Sequence, residues 1–65
     1  MKTKSYGQVE LLAYSTDWRF NRRNKKKPPF DRLIGVFVRH SNGLEFRISK
    51  CECEINDYEK LPNKI

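Results

Sequence analysis

The residues best suited to chemistry lie in one stretch. Seven of the fourteen basic side chains, Arg19, Arg22, Arg23, Lys25, Lys26, Lys27 and Arg32, fall between positions 19 and 32. Trp18, Phe20 and Phe30 are interleaved with them. Cations that seek phosphate, combined with rings that stack on bases, suit a single-stranded nucleic acid. The same run fits an acidic protein surface, or a solvated loop with no partner at all. The rings carry a competing reading too, because a chain with few large apolar residues needs them in its core.

Two further groups have the right atoms for chemistry. Cys51 and Cys53 on one strand would point the same way and form half of a zinc site, but a tetrahedral site needs four ligands and His40 is the single histidine. The expectation is therefore no metal, with both thiols reduced and at least partly buried as small hydrophobes. His40 beside a hairpin loop could serve as a general base if Glu45 oriented it. No nucleophile motif, glycine-rich phosphate loop or tellingly spaced carboxylate pair accompanies it. A non-enzymatic protein is expected, with no cofactor and no small-molecule substrate.

Charge and length narrow the partner. The 65 residues carry a net charge of +6 and are 37% hydrophobic. Residues 1 to 50 hold twelve basic and four acidic side chains, whereas residues 51 to 65 hold two and four. Such asymmetry attracts polyanions to one side of a molecule. One domain over 1–65 is expected, since so short a chain supports only one core. MKTKSYGQVELLAY contains no apolar stretch suited to a signal peptide or a membrane span. No membrane partner is expected, and with cysteines too close for an unstrained disulfide the cytoplasm is the expected compartment.

The elements that must position these groups read as mainly β. Val9, Leu11 and Ala13 alternate as a strand, Ser15 to Asp17 look like a turn, and Trp18 and Phe20 alternate as a second strand. A helix over 17–27 is the competing reading; it would line up Arg19, Arg22, Arg23 and Lys26, but it lacks an apolar face. The clearest signal is RLIGVFVRH, Ser41-Asn42-Gly43, LEFRISK. A three-residue loop with Gly43 left-handed pairs Val38 with Phe46, Val36 with Ile48 and Arg39 with Glu45. That register turns Ile34, Val36, Val38, Leu44, Phe46 and Ile48 inward, and Phe37, Arg39, Glu45 and Arg47 outward. The alternation changes phase near Ser49, which predicts a bulge or bend within a long final strand. Asn56 with Glu59 reads as the cap of a helical turn that Pro62 stops.

These elements predict a small antiparallel sheet or a partly closed SH3-like or OB-like barrel with a short C-terminal helical turn. Residues 22–32 are read as a basic loop and 62–65 as a loose C-terminus. The leading functional expectation is a binding protein that docks this loop on an anionic partner, nucleic acid or a nucleic-acid-associated machine. The Lys- and Asn-rich composition is similar in style to that of small early bacteriophage proteins. That resemblance implies the alternative, an inhibitor or adaptor that contacts a host enzyme directly, with Phe37, Arg39 and Arg47 as protein-contact anchors beside the basic segment.

Overall fold

The computed structural model describes residues 1–16 and 22–65. Six strands and one helix follow in order: β1 (Lys2–Thr3), β2 (Gly7–Gln8), β3 (Glu10–Thr16), β4 (Arg22–Asn24), β5 (Leu33–Arg39), β6 (Glu45–Ser49) and α1 (Ile55–Glu59). β1 and β2 form a small hairpin, and the other four form an antiparallel sheet in the order β4-β3-β5-β6. Among the described residues no barrel closes.

The β5–β6 hairpin has the register that its side chains demand. Val36 lies opposite Ile48, Val38 opposite Phe46 and Arg39 opposite Glu45, with Gly43 at φ +89° in the loop. Pairing of this kind puts all apolar partners on one face, and that face builds the core. Val9, Tyr14, Leu33, Val36, Val38, Ile48, Cys53 and Tyr58 are buried together, and Met1, Leu11, Phe30, Phe46 and Leu61 pack around them.

Two bulges in the β3–β5 ladder break the simple alternation. The first lies between the pairs Leu11–Val38 and Ala13–Phe37. It inserts Leu12, so Leu11 and Tyr14 face the core while Ala13 turns to the opposite face. The second lies between Ser15–Gly35 and Thr16–Leu33. It takes Ile34 out of the inward set and buries Leu33 instead. Ser15 and Thr16, expected in a turn, are the last residues of β3. β4 answers them, with Thr16 paired to Arg22 and Tyr14 to Asn24, so at 22–24 the helical alternative gives way to strand.

Other expectations are corrected at the ends of elements. Leu44 is 60% exposed rather than inward, because it closes the hairpin beyond the sheet. The phase change after Ile48 is not a bulge in a continuing strand. β6 stops at Ser49, whose hydroxyl accepts the Cys51 amide and starts a 3-10 turn over Lys50–Glu52. Glu54, not Asn56, precedes the first turn of α1, and the helix ends at Glu59, before Pro62. Among the described residues no helix is long and apolar enough to cross a membrane.

Candidate functional site

The segment after β4 is not a loose loop. The Lys27 amide donates to the Asn63 carbonyl and the Ile65 amide donates to the Lys25 carbonyl, both at 2.8 Å. Together they hold Lys26 directly opposite Lys64 in an antiparallel bridge. The tail expected to be loose at 62–65 is thus paired to the basic segment. Because the hydrogen bonds flank the pair instead of joining it, the two lysines occupy the closely spaced type of antiparallel position, with side chains on the same face. Both are exposed. Like charges placed directly opposite each other are destabilising.

Lys27 does a different job from its neighbours. Its ammonium donates to the carbonyl of Glu59, the last residue of α1, at 3.2 Å and to that of Leu61, just beyond the helix, at 3.1 Å. It also lies 4.8 Å from the centre of the Tyr58 ring. Tyr58 itself is buried, edge-on to both Tyr14 and Phe30, and its hydroxyl donates to the Pro28 carbonyl. The Tyr14 hydroxyl donates to the Pro62 carbonyl. Two tyrosines and one lysine therefore fasten the C-terminal segment over the core and against residues 25–29. Burial, reinforced by the neighbouring Tyr14 and Cys53, pushes the Tyr58 hydroxyl up to about 12. Burial also raises Tyr14, with Cys53 adding to it.

The remaining basic candidates divide by environment. Lys25 is exposed, and its ammonium reaches the carbonyl of the bulged Leu12 at 3.1 Å. Arg23 and Arg32 are exposed, and the Arg23 guanidinium sits 4.5 Å from the centre of the Phe37 ring. Phe37 does face away from the main core as its register requires, yet it is only 7% exposed, so it is not an open anchor. Phe30 is half-buried and packs against the core beside Tyr58, with the Lys50 ammonium over its ring. Trp18, Arg19 and Phe20 lie outside the described residues, and of Arg22 only its backbone place in β4 is described.

Arg39 leaves the set of open anchors as well. It bonds Glu45 at 3.1 and 3.0 Å and Glu10 at 3.1 Å, tying β3, β5 and β6 together across their surface. The Glu45 hydrogen bond and both carboxylate charges raise its guanidinium further. Among the described residues Arg39 is the one cation in an ion pair with a carboxylate side chain. Arg23, Lys25, Lys26, Arg32, Arg47 and Lys64 have none there.

The other chemical candidates are not assembled. Cys51 is exposed on the 3-10 turn while Cys53 is buried, so the two thiols do not point the same way and Cys51 is not the buried hydrophobe expected. Burial and nearby Asp57 push the Cys53 thiol up, against a smaller opposing effect of the N-terminal ammonium. Among the described residues no three His, Cys, Asp or Glu side chains come together to hold a metal. His40 Nδ1 lies 3.4 Å from the Ser41 hydroxyl, whereas Glu45 is engaged with Arg39. Sequence reasoning missed Lys64, Tyr58 and the capping role of Lys27, each of which depends on a contact spanning thirty or more positions. No protein-family model, curated protein or solved structure matches the chain.

Proposed function

We propose that this protein is a non-enzymatic binding module that takes the phosphate backbone of a single-stranded nucleic acid on the basic segment around Lys25, Lys26 and Lys64. The observation that carries this reading is the bridge between Lys26 and Lys64. Two exposed lysines are held side by side by flanking backbone bonds, with no carboxylate between them among the described residues. Such a pair costs stability in the unbound protein and is relieved when a polyanion neutralises both charges. Arg23 and Arg32, exposed on either side of this segment in sequence, extend the cationic surface.

Of the rings expected beside the basic segment, Phe37 is buried and Phe30 packs against the core, so phosphate contact rather than base stacking supplies the affinity. Binding of that kind is weakly selective for sequence and strongly dependent on salt. Fluorescence anisotropy with a labelled single-stranded oligonucleotide at stepped salt tests it. If about four or five phosphates are neutralised, log K falls against log salt with a slope of about −3, at roughly −0.7 per phosphate. Absence of binding at low salt, or binding that ignores salt, overturns the proposal. In the first case an acidic or aromatic-anchored protein partner becomes the better account.

A further inference from the structure

We infer that β6 is a self-association edge, through which two copies of this chain join their sheets in antiparallel register centred on Phe46. Among the described residues β6 pairs only with β5, so one side of it is open. Which backbone groups face that side follows from the hairpin. The His40 amide bonds the Leu44 carbonyl and the Gly43 amide bonds the His40 carbonyl, both at 2.8 Å. Alternation from this closure turns the amides and carbonyls of Phe46 and Ile48 toward β5 and those of Glu45 and Arg47 outward.

Any antiparallel register of β6 on a second β6 that centres on a residue keeps core faces and outer faces matched, and the one centred on Ile48 sets Arg47 against Ser49 and so pairs no opposite charges. A register centred on Glu45 opposes two carboxylates, and one centred on Arg47 opposes two guanidiniums; like charges in that position repel. The register centred on Phe46 instead sets Glu45 against the partner's Arg47 and Arg47 against the partner's Glu45. Their outward backbone groups are those that must exchange hydrogen bonds. Arg39 bonds only the Oε2 atom of Glu45, which leaves Oε1 for the partner's Arg47. Arg47 is exposed and has no carboxylate partner of its own among the described residues.

The apolar face agrees with the charges. Leu44, 60% exposed in one protomer, comes opposite the partner's Ile48. Phe46 meets the partner's Phe46, extending the stack in which Tyr6, itself 45% exposed, lies 4.9 Å from the Phe46 ring centre. Charged side chains commonly protect an edge strand from pairing. Here their order rewards a single self-complementary register and rejects its neighbours. The basic segment beside β4 lies at the far end of each sheet and stays open in the dimer.

The interface is small, so a dissociation constant on the order of 100 µM is expected. Sedimentation equilibrium from about 10 µM to about 1 mM, without any anionic ligand, should show the 7.8 kDa chain shifting to twice that mass. Arg47→Glu should weaken association at least about tenfold by opposing carboxylates. Hydrogen exchange of the native protein supplies an independent readout. Glu45 and Arg47 amides should become protected as concentration rises, while Phe46 and Ile48 amides are protected throughout. A monomer mass across the whole range overturns the inference. So does a dimer that leaves the Glu45 and Arg47 amides unprotected, whatever the oligonucleotide experiments show.

Discussion

At the scale of single residues, the two thiols provide the simplest distinction. Cys51 stands on an exposed turn, whereas Cys53 is buried with its thiol pushed toward the neutral form. Alkylation proceeds through the thiolate, so iodoacetamide at neutral pH should modify Cys51 rapidly and Cys53 only as the protein opens. Peptide mass spectrometry after a short pulse checks this; equal labelling of both would contradict the burial. Two glycines are as specific. A Cβ on Gly35 would meet the Ile48 carbonyl oxygen at 2.1 Å, a backbone atom that cannot rotate away. Gly35→Ala should cost about 1–3 kcal/mol in urea unfolding, as overpacked sites do. Gly43 has open space around it but sits at φ +89°, so Gly43→Val should cost about 1–3 kcal/mol through backbone strain alone. Gly43 was legible in the sequence because Asn42-Gly43 lies between two alternating runs. Gly35 was not, because its constraint is the approach of another strand.

At the scale of elements, the β5–β6 hairpin could be read in advance because only one register sorts apolar from charged residues. The bulges at Leu12 and Ile34 could not, since an inserted residue leaves no mark on composition and only the pairing partner reveals it. The closure of residues 25–29 by the tail was equally hidden: it joins positions more than thirty residues apart that carry no shared pattern. This closure divides the three lysines by role. Lys27→Gln should lower stability by about 1–2 kcal/mol, because an ammonium bonded to two carbonyls is lost. Lys25→Gln with Lys26→Gln should leave the thermal midpoint nearly unchanged. Equal loss in both variants would contradict the division.

Tyr58 gives the same clamp a pH signature. An unfolded tyrosine titrates near about 10, and the folded Tyr58 near about 12. Between those values the folded state binds more protons than the unfolded one, so stability falls as pH rises through this window and is fully present below it. Tyr14, raised for the same reason of burial, acts in the same direction. Urea midpoints measured from pH 9 to pH 12 should therefore decline more steeply in the native protein than in Tyr58→Phe. Parallel declines would remove Tyr58 as the source.

At the scale of the whole molecule, the charge asymmetry legible in the sequence becomes a placement. Residues 51–65 hold four acidic side chains against two basic ones and are the net acidic part of the chain, yet they return Lys64 to the side of Lys26. Of the site expected from composition, Arg23, Lys25, Lys26 and Arg32 are exposed and form the candidate surface, while Lys27 is engaged with the tail, Phe30 and Phe37 are packed on the core or buried, and Arg39 is already paired. The sequence could not show this division because burial and ion pairing depend on which elements pack together. The central claim is that Lys26 and Lys64 are held together to receive an anion. The most direct measurement is Lys64→Gln, read for stability alone and for oligonucleotide affinity at fixed low salt. Relief of repulsion predicts a melting temperature no lower than that of the native protein, with affinity reduced and the salt slope flattened by about 0.7. Unchanged affinity and slope in a folded Lys64→Gln protein would contradict it.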